Sequence, residues 1–430
     1  MMKKHAFRFV ALVALIVSTT FAQQPAPAVA KQSPEDRIAL YQALLDLTNP
    51  WTVMCIAAHP DDEDGTSLIV MRRKYGAHTV SLFSTFGEGG QNAIGPELYE
   101  ELGAIRARET MAAAEIQGSE PHFLGLKDFG FSKSADEAFR VWGHDEALRR
   151  MVLQIRKLRP DVIITNHSAT NNDHGHHQAT ARLELEAFDD AADPTKFPEQ
   201  LKDGLTVWQV QRLFVRARGA AVQNPDRQGG GEQLVTIDPN EQDPIRGTTF
   251  AEQALSALQK HATQGPWPKT VAQMASRFTN SPDGRLPIIR YRLLREAKGA
   301  DALTKDSHNF LDGLRLPEQV AKQLAPPTIG DRPAIAFIKD RKLLFHQLLS
   351  YRTNIHNSYL DYHQQAVREA IADERKSNET SRFLLVIQRL ERSLALAAGI
   401  DFKVVPSIVV TPSSTATLSF TIWNRGSQSF

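Results

Sequence analysis

Apolar and polar positions alternate between two rhythms along the first half of the chain. The run Trp51-Thr52-Val53-Met54-Cys55-Ile56 is β-prone and apolar on both faces, which predicts a buried strand over 52–58. Thr79–Phe86, Pro121–Leu126, Asp161–Thr165 and Trp208–Ala217 read as further strands. Helical spacing falls between them, over Thr66–Tyr75 before Gly76, Pro96–Gln117 before Gly118, Asp145–Leu158, and from about His177 to Ala191. A leading helix, Ser33–Leu47, opens with the start signal Ser33-Pro34-Glu35-Asp36. Strands alternating with helices predict an α/β fold, a Rossmann-like three-layer sandwich with a mostly parallel sheet. Polar clusters follow three of the strands, near His59, Glu88 and Asn166, so they converge on one sheet edge.

The second half reads differently. Arg218–Gly247 is rich in Gly, Asn, Asp and Pro and reads as a long loop, Phe250–Thr263 as a helix, and Gly265–Gly284 as loop-rich. Ile288–Ala297 fits a strand or a helix equally, and Leu303–Gln323 is partly helical. Arg341–Ala398 has helical spacing with charged faces, as in a helical hairpin, and Asp401–Val405, Ser407–Val410 and Ala416–Asn424 read as terminal β-strands. These strands resemble the opening of an immunoglobulin-like domain. The expected division is a signal peptide at 1–22, a leader and N-terminal helix at 23–47, an enzyme-like domain at 48–265, an accessory and mainly helical region at 266–400, and the start of a β domain at 401–430. The accessory half is expected to serve partly as a lid over the site.

Composition narrows the function. The 430 residues are 42% hydrophobic and carry 50 basic against 49 acidic side chains, a net charge of +1, which gives no footprint for nucleic acid or an anionic membrane. Lys3, Lys4, His5 and Arg8 precede the apolar Phe9–Val17, and Thr20-Phe21-Ala22 is a small-x-small site, so the start reads as a secretory signal with a secreted or periplasmic product and no membrane contact after cleavage. The single cysteine, Cys55, rules out an intramolecular disulfide. It lies roughly 13 Å behind His59 along a strand, too far to share a ligand, and reads as a small core residue.

Two stretches carry chemistry. Ala58-His59-Pro60-Asp61-Asp62-Glu63-Asp64 places a histidine and a run of acids at the end of the first strand. Taken alone, this is also good turn and capping chemistry. Asn171-Asn172-Asp173-His174-Gly175-His176-His177 follows a second strand with three histidines in four residues. Imidazole and carboxylate from two strand ends of one sheet are donors that can share a metal ion. Neither a phosphate loop nor a Gly-x-Ser-x-Gly elbow occurs.

These motifs resemble the PIG-L/LmbE-type zinc-dependent N-acetylglucosaminyl deacetylase family. Ala58-His59-Pro60-Asp61-Asp62-Glu63 matches its first motif, and His174-Gly175-His176-His177 is similar to its His-x-Asp-His motif. Arg106-x-x-Glu109, Phe123–Asp128 and the helix ending Ala-Leu-Gln-Lys-His261 add to the likeness. The resemblance implies that Zn2+ is held by His59, Asp62 and His177. It implies Asp61 as general base, and His174 as the group that stabilises the oxyanion or protonates the leaving amine. It further implies sugar contacts from Glu88, Arg106 and Asp128, and a small-molecule or glycan substrate bearing an N-acetylated amino sugar. From the residues alone, Glu88 also fits a solvated loop, Arg106 and Glu109 a structural ion pair, and Asp128 a turn cap. The departure is His176, which stands where the family has Asp. A histidine orients no neighbour as an anion; it accepts a hydrogen bond when neutral, or adds a ligand, and it replaces His177 as ligand if the helix begins one residue later. The expected reaction is metal-assisted hydrolysis of an N-acyl amino sugar. The alternatives are a zinc amidase on non-sugar acyl amines and a catalytically silent glycan-binding protein.

Overall fold

The structure, a computed structural model, describes residues 33–169, 174–217, 234–279, 281, 283–298, 300, 303, 307–325, 341–368, 374–405 and 419–424. The expected signal peptide, most of the leader, and Asn171, Asn172 and Asp173 lie outside the described residues, as does the strand expected at Ser407–Val410. In chain order the helices are α1 (Pro34–Asp46), α2 (Gly65–Arg73), α3 (Glu100–Gln117), α4 (Ala135–Trp142), α5 (His144–Leu158), α6 (Gly175–Asp190), α7 (Pro198–Lys202), α8 (Phe250–Leu258), α9 (Val271–Thr279), α10 (Glu318–Leu324), α11 (Arg341–Arg368) and α12 (Glu374–Ala398). The strands are β1 (Thr52–Ala57), β2 (His78–Thr85), β3 (Glu120–Leu126), β4 (Val162–Thr165), β5 (Arg212–Arg216), β6 (Leu234–Ile237), β7 (Gln242–Asp243), β8 (Thr248–Thr249), β9 (Ile289–Glu296), β10 (Ile400–Val405) and β11 (Ser419–Asn424).

One seven-stranded sheet, ordered β3-β2-β1-β4-β5-β9-β6, organises the enzyme-like part. The pairs from β3 through β5 are parallel; β9 runs antiparallel to both β5 and β6. All six residues of β1 are buried, as expected of a central strand covered on both faces. Met54 and Ile56 pack towards α4, α5 and α6, while Val53 and Cys55 pack towards α2 and α8. Strand order reverses between β1 and β4, so their carboxyl ends open a crevice at the switch point.

The structure corrects several expectations. The supposed long loop at 218–247 contains β6 and β7, and the loop-rich 265–284 contains α9. The ambiguous 288–297 is β9, a full member of the main sheet, so the expected boundary at 265 cuts through one folded unit. Leu303, Phe310 and Leu311 also join the core on the α2/α8 face. The helical hairpin is present as α11 and α12, and β10 pairs antiparallel with β11.

That hairpin is not a lid. With α1 and α10 it forms its own apolar core, including Leu44, Val320, Leu348, Phe383 and Leu390. It docks at the amino ends of β1 and β4, away from the crevice. There the Arg382 guanidinium pairs with the buried Asp161 carboxylate, donates to Pro50 O (3.2 Å) and lies 4.5 Å over the Trp51 ring. Asp161 Oδ2 also accepts the Thr52 amide at 2.8 Å, so one carboxylate ties both strand starts to α12. Arg382→Ala leaves that buried anion without its cation and is expected to cost about 3 kcal/mol or more. Arg182→Ala, which breaks an exposed pair with Asp136, is expected to cost less than about 1 kcal/mol. Chemical denaturation of the two variants side by side checks the contrast.

Candidate metal centre and active site

The chain leaves β1 through a tight turn. Asp62 N donates to His59 O at 3.2 Å, and Asp61 takes φ = 90°, a left-handed conformation that an L-residue with a Cβ adopts only under restraint. The turn throws the two adjacent aspartates to different partners. Asp62 Oδ2 accepts from the His59 amide at 3.0 Å, lies 2.9 Å from His59 Nδ1 and 3.2 Å from His177 Nε2. Burial pushes the Asp62 carboxyl up, but His177 and His59 pull it well below the usual carboxylate range. Asp61 Oδ1 instead meets Arg106 Nη2 at 3.1 Å. Burial and the Asp62 anion raise its pKa to about 8, against the opposing pull of Arg106 and His261.

The histidines arrive on the first turn of α6, which begins at Gly175 rather than at His177. Glycine is required there: a Cβ would run into Ser132 and Ser134, and the Gly175 amide donates to Ser132 O at 2.7 Å. This clamps the helix start against the chain entering α4. His174 is the N-cap, its Nδ1 accepting from the His176 amide at 3.1 Å. His177 turns towards Asp62 and stacks on His167, ring centroids 4.2 Å apart. His167 Nε2 accepts the Ala58 amide at 2.9 Å, and Asn166 Nδ2 donates to Asp62 O at 2.8 Å, joining the ends of β1 and β4.

Asp62, His59 and His177 bring one donor atom each to within 4.8 Å of one another. In a tetrahedral zinc site with ligand bonds near 2.0–2.1 Å, neighbouring donor atoms stand about 3.3 Å apart. The 2.9 and 3.2 Å from Asp62 Oδ2 to the two imidazole nitrogens are close to that spacing. His59, His174 and His176 form a second group of potential ligands. The first group is the better fit: it brings a carboxylate to offset the ion's charge, and it leaves His59 Nε2 for a supporting partner.

That partner is His176. Its Nδ1 lies 3.0 Å from His59 Nε2, and its ring is fully buried, stacked on Trp142 and edge-on to Phe129. Burial and the surrounding imidazoles drive its pKa far down, so it stays neutral; if His59 turns Nδ1 to a metal, His59 Nε2 carries the proton and His176 Nδ1 accepts it. Of the roles open to it from sequence, the hydrogen-bond acceptor is the one the geometry supports, and its partner is His59 rather than His174. Trp142 comes from α4, a helix the sequence pattern missed.

The three residues expected to touch sugar have internal partners. Glu88 accepts from Phe86 N (3.1 Å) and Asp128 N (2.9 Å), tying the loop after β2 to the loop after β3. Arg106 is buried on α3 and donates to Gly87 O (2.9 Å) and Pro60 O (2.6 Å) besides Asp61. Asp128 caps a turn through Gly130 N (2.9 Å) and faces His59 Nε2 (3.7 Å) and His176 Nδ1 (3.8 Å). Glu109, expected to pair with Arg106, accepts instead from Thr263 N and Oγ1 at 2.9 and 2.6 Å. Sequence reasoning did not single out Glu63 and His261 as site residues, although both lie in motif stretches; they stand directly behind Asp61.

The sequence model of the PIG-L family, described as GlcNAc-PI de-N-acetylase, matches residues 54–188. Mycothiol S-conjugate amidase of Streptomyces coelicolor is 29% identical over 167 residues, 36% of this chain and 57% of that protein. 1D-myo-inositol 2-acetamido-2-deoxy-alpha-D-glucopyranoside deacetylase of Thermobifida fusca is 29% identical over 258 residues, 54% of this chain and 88% of that protein. Among solved structures, N,N'-diacetylchitobiose deacetylase from Pyrococcus horikoshii aligns over 62% of this chain and 94% of its own, at 19% identity and a TM-score of 0.42. The residues that match the PIG-L family model run from the central strand β1 into α6, and so include His59, Asp61, Asp62, His174, His176 and His177.

Proposed function

We propose that the chain is a zinc-dependent amide hydrolase that removes an acyl group, acetyl foremost, from the nitrogen of an amino sugar or its conjugate. The observation that carries this reading is the close approach of donor atoms from His59, Asp62 and His177, with a differently held carboxylate, Asp61, one residue away. The match to the PIG-L family model supports it, as do relatives named for removing acetyl from a glucosamine conjugate and for cleaving an amide. The basic and apolar start of the sequence supports a secretory route to this activity.

Zinc at His59, Asp62 and His177 would supply an electrophile for the amide carbonyl and a water acidified to a pKa near 7. Asp61 is placed to accept a proton from the water that attacks the amide. Arg106 anchors Oδ1, which leaves Oδ2 as the accepting atom. His174 is held by its cap hydrogen bond in the tautomer with the proton on Nε2, and burial and its neighbours His59 and His177 lower its pKa to about 4. It therefore acts as a neutral donor to the developing oxyanion. Asp61, protonated by the first step, returns its proton to the departing amine. His176 keeps His59 oriented with Nδ1 towards the metal.

A sugar ring needs an apolar face as well as hydrogen bonds. Phe131 is 77% exposed, and its ring lies 4.9 Å from that of His174, on the rim of the crevice. It is placed to stack against a sugar beside the reacting amide.

Metal analysis coupled to amine release from an N-acetylglucosamine conjugate tests the proposal. His59→Ala is expected to lose zinc and activity together. Asp61→Asn is expected to keep zinc at the parent stoichiometry and lose turnover by at least about 100-fold. A fully active metal-free protein would overturn the mechanism; turnover of non-sugar N-acyl amines ahead of amino sugars would favour the amidase reading. Phe131→Ala is expected to raise KM about 5-fold on sugar substrates with kcat unchanged, the equivalent of about 1 kcal/mol of stacking.

A further inference from the structure

We infer that His261 and Glu63 form a positioning pair that holds Asp61 in its working conformation; the inference rests on Asp61 being the base. Asp61 sits at φ = 90°, a strained conformation that persists only where the surroundings impose it. Two contacts impose it. Arg106 bridges Pro60 O and the Asp61 carboxylate, and Glu63 Oε2 accepts the Asp61 amide at 3.0 Å. The second contact fixes Asp61 only if Glu63 is itself fixed. Its Oε1 accepts from Gln117 Nε2 at 2.7 Å, and His261 Nε2 stands 3.5 Å from the same oxygen.

His261 is wholly enclosed, and neither of its ring nitrogens makes a well-directed hydrogen bond among the described residues. A buried polar group left so is destabilising, and a histidine used only for packing would carry that cost without return. Its charged surroundings are Glu63, Asp61 and Arg106; burial alone would lower its pKa, but Glu63 carries it net upward.

The ring's placement is built from several directions. Trp267 Nε1 donates to His261 O at 2.6 Å, Glu109 on α3 takes both donors of Thr263, and the Ala93 amide reaches Thr263 O at 2.8 Å. The short 3-10 turn after α8, Ala262–Gln264, is therefore locked to α3 and to the loop after β2. What this locked turn presents to the site is one imidazole, directed at the carboxylate that holds the Asp61 amide. His261 does not touch the metal ligands; it acts through Glu63 on the geometry of Asp61.

The full-length zinc-loaded protein tests this. His261→Ala is expected to keep zinc stoichiometry and KM while kcat falls about 30- to 100-fold, the effect of misplacing a catalytic group by about an ångström. In the Asp61→Asn background the same change is expected to have no further effect. Gln117→Leu, which removes the other anchor of Glu63, is expected to give the same kcat-only signature if His261→Ala folds poorly. A crystal structure of His261→Gln is expected to show Asp61 shifted from its left-handed φ or from Arg106. Unchanged kcat per folded molecule, additivity with Asp61→Asn, or an unmoved Asp61 would overturn the pairing. If the parent protein hydrolyses no N-acyl amine, the proposed function fails, and the variant's structure still decides the pairing.

Discussion

Two carboxylates at neighbouring positions in a poorly hydrated turn repel each other, and much of the site follows from how that repulsion is resolved. A buried anion needs a cation or a set of donors, and two adjacent ones cannot share the same set. The chain separates them by turning Asp61 to φ = 90°, so that Asp62 faces two imidazoles and Asp61 faces a guanidinium. Each compensating group must then be delivered from a distant part of the sequence. The first turn of α6 brings His177, and the inner face of α3 brings Arg106 and Gln117. The same division puts the two carboxylates in different electrostatic settings, one beside two imidazoles and the other beside a guanidinium.

Sheet topology makes the delivery possible. Because strand order reverses between β1 and β4, the chain ends leaving these strands meet above neighbouring positions, and Ala58 N can reach His167 while Asp62 O can reach Asn166. The opposite edge carries the mechanical load. Asp161 binds the start of β1 and Arg382 of α12, so the C-terminal helices secure the sheet from the side where no chemistry occurs. The helical hairpin of α11 and α12 thereby stiffens the platform from its far side, while α9 and the residues entering β9 line a pocket together with Asp61 and Glu63.

What could be read from sequence followed the strength of the local signal. Buried parallel strands such as β1 and β4 are apolar on both faces and stood out, as did α1 with its Ser33–Asp36 capping box. β9, Ile-Arg-Tyr-Arg-Leu-Leu-Arg-Glu, alternates apolar side chains with arginine only as far as Leu293, and Leu294-Arg295-Glu296 breaks that period, so its pairing with β5 and β6 is what identifies it. The candidate metal donors stood out because two compact motifs contain them all. Glu88 and Arg106 were legible as residues, but not as braces, because their partners are backbone carbonyls and amides that no side-chain pattern records. His261 gave a signal only as the end of an otherwise ordinary helix; its relation to Glu63 spans almost 200 residues and exists only in the fold.

His176 shows how a site can lose a charge at one position and retain it nearby. An aspartate there would place an anion next to the ligand histidines. The imidazole present instead is forced neutral by burial and by three other histidines, so it offers His59 an acceptor but no charge. The anion is still close: the Asp128 carboxylate stands 3.7 Å from His59 Nε2 and 3.8 Å from His176 Nδ1, held by the Gly130 amide on a turn that Glu88 in turn fixes. A neutral acceptor in contact and a carboxylate behind it polarise His59 in the same direction as one direct carboxylate, less strongly per group but from two groups. On this argument the motif departure leaves the metal donors intact and shifts part of their electrostatic support from α6 to the loop after β3.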